Sequence, residues 1–345
     1  SSETTVVINC AGRTRSIIGA QTLINFGVSN KIFALENGTQ GWSLADLELE
    51  YGANPIPLMN VAPNDCQAAQ ARAKNVAERY GVSFVDRETV AKWQLDETRT
   101  LFLMDVRSRD EYIKGHLPGS VHAPGGQLVQ ATDRWVGVRG ARIVVYDDTG
   151  VQATCTAHWL KQMGWDVYVL SQENLTLISE DVDWSKRNSE VPRIDAKRFL
   201  ELVRDEAAYI LDLRSSQDFE LGHIIGANWC VRPLLDQTII PSEREVILVA
   251  DDPVVAALIA DDLNQWSIGP VYLFDSGMAA WREAGGQLVE SDFNSSHPDR
   301  IDFAAFTAER HDGNKNHMRQ YLEWEINLVN QLDEQERGVF NVMRL

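Results

Sequence analysis

Short runs of Val, Ile and Leu recur along the chain and alternate with stretches in which apolar residues return every three or four positions. Leu101 to Met104, Ile143 to Tyr146, Ile210 to Leu213 and Val246 to Ala250 are such runs. They have the look of strands buried on both faces, and the stretches between them predict helices, so the class is α/β with a mainly parallel sheet covered on both sides. One helix is predicted from about Val151 to Met163, stopping at Gly164, and its counterpart from about Pro253 to Trp266 with Pro in the first turn. The Ala-rich segment from Ala62 to Gly81 predicts a linker helix. From about Met318 to Glu336 the apolar residues Leu322, Ile326, Val329 and Leu332 predict a helix that buries one face against a domain or a partner.

Two passages repeat each other: LFLMDVRSRDEYIKGHLPGSVHAP from Leu101 and AYILDLRSSQDFELGHIIGANWCV from Ala208. Asp105 matches Asp212, Arg107 matches Arg214, Gly115 matches Gly222 and His116 matches His223, all at one offset, which marks a duplicated domain. The opening VVINCAGRTRSIIGAQTLINFG aligns with IVVYDDTGVQATCTAHWLKQMG, and LENGTQGW resembles FDSGMAAW, so the chain holds about two and a half copies. The expected boundaries are residues 1–58 for the second half of one copy, 59–82 for the linker helix, 83–189 and 190–292 for two further copies, and 293–345 for a helical tail. No Asp-x-Arg strand and no Gly-His segment precede Val6, and the sequence opens at Ser1 without Met. A strand without its neighbours leaves backbone groups uncovered, so an upstream half-domain fragment or a second chain is expected to complete residues 1–58.

Composition narrows the functional classes. With 32 Lys and Arg against 50 Asp and Glu, the formal charge of −18 opposes binding to nucleic acid or anionic lipid. No stretch approaches the roughly 18 uninterrupted apolar residues of a membrane span, and nothing resembles a signal peptide, so a cytoplasmic address is expected. The cysteines, Cys10, Cys66, Cys155 and Cys230, form no C-x-x-C pair, which argues against a disulfide framework or a zinc site.

Any anion site must therefore be local, and INCAGRTRS supplies one. A strand ending at Cys10, a loop of small and basic residues and then a helix turn successive N–H groups inward, and the helix start adds partial positive charge. Arg13 and Arg15 add donors, and Gly12 permits a tight turn. The expected site is thus Cys10 as nucleophile, with Ala11, Gly12, Arg13, Thr14, Arg15 and Ser16 binding an anionic substrate.

The DVRSRDEYIKGHLPGSVHAP segment, the Cys-x4-Arg-Ser loop from Cys10 to Ser16 and the Gly-x-x-x-Trp closing helix together resemble the rhodanese superfamily, over most of residues 4–290. The resemblance implies tandem domains, each with a central, mainly parallel five-stranded sheet and helices on both faces. It also implies a thiosulfate sulfurtransferase: Cys10 would carry sulfane sulfur from thiosulfate or a persulfide to cyanide or a thiol and release sulfite, with no metal or organic cofactor. Related phosphatases and arsenate reductases have one more residue between Cys and Arg. The four residues Ala11, Gly12, Arg13 and Thr14 therefore favour sulfur transfer. Where the first copy has Cys10, the alignment places Asp147 and Asp251, each followed by a second Asp and by no Arg before the helix, so both loops are expected to be catalytically silent. Two silent loops of three also motivate an alternative from another class, a non-catalytic binding or scaffold protein.

The other candidates have plainer readings. Cys155 and Cys230 sit in apolar surroundings and suggest packing; Cys66 lies on the linker helix. His116 and His223 recur in copies without a nucleophile and read as structural, as do the Asp105–Arg107 and Asp212–Arg214 pairs, which suit strand-end anchors. His311 and His317 are poorly spaced for a shared metal face and read as surface.

Overall fold

The computed structural model describes residues 3–52, 62–171, 177–179, 191–238, 240–241, 244–291 and 300–341. The chain divides into two compact units, one made of residues 1–182 with 309–345 and the other of residues 183–308.

In the first unit β1 (Val6–Ile8) and β2 (Ile32–Ala34) pair in parallel, Val7 opposite Phe33. A separate sheet of five parallel strands follows: β3 (Ser83–Val85), β4 (Leu101–Asp105), β5 (Val121–His122), β6 (Arg142–Tyr146) and β7 (Asp166–Leu170), in the spatial order β3-β7-β6-β4-β5. The period of two along β6 explains why its run is apolar throughout. Ile143 and Val145 join one buried cluster with Leu128 and Leu160, while Val144 and Tyr146 join another with Val90, Leu103 and Leu170. The predicted helix is present as Val151–Gln162, and Gly164 behind it takes a φ of 86°.

The Pro63–Tyr80 helix is more than a connection. Proline occupies its first turn, Gly81 closes it at φ 65°, and Ala73, Val76, Ala77 and Tyr80 are buried along one side. Val76, Ala77 and Tyr80 belong to the same cluster as Ile143 and Leu160, so this helix forms part of the core over the five-stranded sheet.

The second unit contains β8 (Ala208–Asp212), β9 (His223–Ile224), β10 (Asn228–Trp229), β11 (Glu245–Val249), β12 (Val271–Phe274) and β13 (Leu288–Val289). Its parallel sheet runs β10-β8-β11-β12, and a single parallel bridge between Arg193 and Leu273 takes the place of a fifth strand. The antiparallel pair β9-β13 has a counterpart in the first unit, where His116 bridges Ile178. The second predicted helix runs Pro253–Gln265, with Trp266 as its C-cap.

The repeated motifs have repeated structural work. Arg107 donates through Nε and Nη2 to Asp105 at 2.9 and 2.6 Å and through Nη2 to the Gly115 carbonyl at 2.6 Å. Arg214 holds Asp212 at the same distances and the Gly222 carbonyl at 2.9 Å. Each arginine ties a strand end to the loop that follows the next short helix, as the strand-end reading expects. Each histidine stacks on the ring four residues before it, His116 on Tyr112 and His223 on Phe219, and its Nδ1 donates to that residue's carbonyl. Both roles are structural.

The terminal helix departs from expectation. It runs Lys315–Gln331, Leu332 is extended, and Asp333 caps a short separate helix, Glu334–Gly338. Met318, Tyr321, Leu322 and Glu325 are the buried residues, whereas Ile326 and Val329 are 52% and 66% exposed. The buried stripe is rotated from the one that apolarity predicts, because Tyr321 and Glu325 meet polar groups that only the folded unit presents. Among the described residues no helix is long and apolar enough to cross a membrane, and no group of three or more potential metal ligands is found.

The helix after β1, Thr14–Asn25, is held to the Val151–Gln162 helix by two polar contacts. Trp159 Nε1 donates to Thr22 Oγ1 at 2.8 Å, and His158 Nε2 lies 3.2 Å from Asn25 Nδ2. Since His158 Nδ1 donates to the Cys155 carbonyl at 2.6 Å, Nε2 is the acceptor and the ring is neutral. Burial holds its pKa down at about 4, against an ordinary value of 6.5. The unfolded chain therefore takes up a proton that the folded chain refuses between those two values. Stability from this group is complete above 6.5 and declines as pH falls towards 4, by about 3 kcal/mol. His158→Gln is expected to flatten that limb; urea midpoints at pH 7 and 4.5 that drop equally in both proteins would contradict this.

Candidate active site

The Cys10 loop is built by closing its carbonyls off from one side. After β2, Asn37 and Gly38 take φ of 56° and 55°, and the Gly38–Leu44 helix then begins. The amides of Thr39 and Gln40 donate to the carbonyls of Cys10 and Ala11 at 2.9 and 3.0 Å. Gly38 permits this approach: a Cβ there would lie 2.0 Å from the Cys10 oxygen and 2.5 Å from the Gly12 oxygen. The Gly-x-x-x-Trp helix thus clamps the loop from below.

The predicted residues come together. Cys10 and Ala11 are half-buried, Gly12 and Ser16 are buried, Arg13 and Thr14 are half-buried and Arg15 is exposed. Cys10 Sγ donates to Ser16 Oγ at 3.6 Å, and Ser16 in turn donates to the Arg13 carbonyl at 2.8 Å. Thr14 is the first residue of its helix, whose N-cap, Arg13, offers no side-chain cap.

That unfilled cap is taken by a residue far along the chain. Glu325 Oε1 accepts from the Thr14 amide at 2.9 Å and also from the Thr14 hydroxyl. Glu325 is buried, and its Oε2 has no hydrogen-bond partner. A Cβ on Gly12 would fall 2.9 Å from the Tyr321 ring and 3.2 Å from Glu325 Oε2, so the terminal helix sits directly on the loop. Arg310 stacks over Tyr321 at 3.9 Å from the ring centre. Burial raises the Tyr321 pKa, with Glu325 adding to the rise and Arg310 and Arg15 opposing it. Lys315 pairs with Asp46, just beyond the Gly38–Leu44 helix, and fixes the start of the terminal helix. Glu325, Tyr321 and Arg310 lie outside the loop motif, and their spacing within the tail carries no local sign of this contact.

A family model for the Rhodanese-like domain matches residues 87–172. The crystal structure of thiosulfate sulfurtransferase from Pseudomonas aeruginosa is 38% identical with a TM-score of 0.77, and the match covers 100% of this chain and 66% of that one. The chain belongs to the rhodanese superfamily. It spans 66% of the length of that relative. The 3-mercaptopyruvate sulfotransferase structure of SseA from Escherichia coli is 17% identical, with 57% of this chain and 98% of that one covered and a TM-score of 0.26. No curated protein matches the chain.

The other rhodanese loops answer the same electrostatic demand from within. In the second copy Asp147 is buried; Oδ1 accepts from the Ala153 amide at 2.9 Å and Oδ2 from the Thr149 amide at 3.1 Å and its hydroxyl at 2.7 Å. Rather than repelling an incoming anion across an empty loop, Asp147 is itself the loop's anion. Its neighbour Asp148 accepts from both Arg107 Nη1 and Tyr146 Oη. In the third copy Asp251 is exposed and Asp252 caps the helix, accepting from the Val254 amide at 2.8 Å.

Cys155 lines a cavity of about 490 Å³ with Arg15, Ile18, Thr156 and Trp159, and burial together with nearby Asp147 pushes its thiol up to about 12. Burial also raises the Cys230 thiol. Both shifts disfavour the thiolate form. Cys66 is half-buried on the Pro63–Tyr80 helix. His317 pairs with Glu309 at 3.0 Å, and His311 is exposed.

Gly38→Ala is expected to break the Thr39 and Gln40 pairs with the loop carbonyls, at a cost on the order of 1–3 kcal/mol. Amide hydrogen exchange at Thr39, Gln40 and Thr14 should quicken; protection equal to that of the parent would show that the clamp does not depend on this glycine.

Proposed function

We propose that this rhodanese is a sulfurtransferase that works through Cys10 alone. One observation carries the reading: beside Cys10, the Thr14 amide at the loop's helix start already holds a carboxylate. A loop that binds one oxyanion through a main-chain donor has the chemistry to bind another. The relative from Pseudomonas aeruginosa bears the name thiosulfate sulfurtransferase, which supports a sulfane-sulfur donor.

In the reaction we infer, Cys10 thiolate attacks the outer sulfur of thiosulfate or of a persulfide. A bond forms between Cys10 Sγ and that sulfur, the donor's S–S bond breaks, and the electron pair leaves on sulfite or on the donor thiolate. Cyanide or a thiolate then attacks the terminal sulfur of the Cys10 persulfide and regenerates the Cys10 thiolate. Loop amides and Arg13 and Arg15 hold the anionic leaving group. The chemistry draws on no metal or organic cofactor. The acidic surface leaves nucleic acid and anionic membranes outside its range of partners.

The same reading places a further segment, from an upstream fragment or a second chain, over the two-stranded sheet. Val7 and Phe33 are each 55% exposed there, and Ile17 and Ile24 beside them are also exposed.

Cys10→Ser is expected to lower thiocyanate release from thiosulfate and cyanide by roughly a thousandfold or more. Intact mass after incubation with thiosulfate alone should show one added sulfur in the parent and none in this variant, while Cys155→Ser keeps both properties. Equal rates in parent and Cys10→Ser would end the reading.

A further inference from the structure

Glu325 reaches the Cys10 loop from a helix 311 residues away in sequence and sets a carboxylate against the loop's helix start. It takes the Thr14 amide and hydroxyl with one oxygen and keeps the other buried and unpartnered against Gly12. An unpartnered buried carboxylate oxygen is costly, and nothing in local sequence requires it there. The cradle therefore offers an incoming donor fewer free amides than the bare loop would, together with one fixed negative charge.

We propose that Glu325 is a specificity-determining residue of the Cys10 loop and makes it select sulfur donors with a single negative charge, such as an organic persulfide or thiosulfonate, over the thiosulfate dianion. This rests on the sulfur-transfer reading and names its donor class. The sulfonate end of thiosulfate would have to displace Glu325 from Thr14 or lie against it, and at contact distance in a half-buried site each added unit of like charge is strongly opposed. A monoanion that presents its charge on the sulfur to be transferred can meet Arg13 and Arg15 and leave Thr14 to Glu325. The second copy supplies a precedent within the chain: Asp147 occupies loop amides with a carboxylate of its own. Asp147 stands at the strand end itself, whereas Glu325 arrives on a separate helix and bonds Thr14 rather than the Cys10 thiol.

The probes are thiosulfate and benzenethiosulfonate. The monoanion gives the same Cys10 persulfide as the bond between its two sulfurs breaks and the electron pair departs on benzenesulfinate. Glu325→Gln keeps the shape and the acceptor for Thr14 but removes the charge. It should raise kcat/KM for thiosulfate by about tenfold, chiefly through KM, and leave benzenethiosulfonate nearly unchanged. Glu325→Asp, which keeps the charge, should retain the parent's preference. An equal change for both donors, no change for thiosulfate, or loss of preference in Glu325→Asp would overturn the proposal. In a Cys10→Ser background, calorimetric binding of the two anions reads the same preference without turnover. Absence of persulfide from either donor in the parent would instead strike the sulfur-transfer reading and leave the binding preference to decide the role of Glu325.

Discussion

Amide groups turned inward where a strand passes into a helix need a negative partner, and much of this rhodanese is arranged around that need. The three equivalent loops meet it in three ways. Asp147 supplies the carboxylate from the strand end itself, and Asp252 supplies an ordinary helix cap. In the first copy, where the strand end is Cys10, Glu325 brings the carboxylate from the terminal helix. The cysteine replaces the internal anion, and the tail restores one beside it. That exchange sets the Cys10 thiol beside the Thr14 amide that Glu325 caps.

The frame beneath the loops is the same in the second and third copies. Asp105 and Arg107, or Asp212 and Arg214, form buried ion pairs, and each arginine reaches the equivalent glycine carbonyl, Gly115 or Gly222. A buried pair of this kind adds little net stability against an apolar alternative, but it is costly to break on one side and so fixes geometry. Its presence beneath loops that lack a nucleophile shows that it serves the scaffold. The stacked histidines belong to the same scaffold, each tied to its own helix by Nδ1.

Much of this was legible because it is written locally. Apolar runs such as Ile143–Tyr146 report strands buried on both faces, and Gly164 and Pro253 mark helix ends within a residue or two. The repeat by itself sets Cys10 opposite Asp147 and Asp251. Apolarity misplaces the buried face of the terminal helix, since Ile326 and Val329 are apolar yet exposed while the carboxylate residue Glu325 is buried. Apolarity alone cannot locate a helix whose dock is an anion cradle. The Pro63–Tyr80 helix reads as a connector in the sequence because two of the four residues on its buried side are alanine, which gives little contrast with a solvated face.

Strands, helices, the duplicated copies and the one loop with a cysteine followed by arginines were determined by sequence alone, because each depends on residues within a few turns of one another. The tertiary structure alone decided which face of the terminal helix is buried and which carboxylate answers the Thr14 amide. Those choices depend on the charge and shape of a surface assembled from segments some 311 residues apart, and no periodicity along the chain encodes such a meeting.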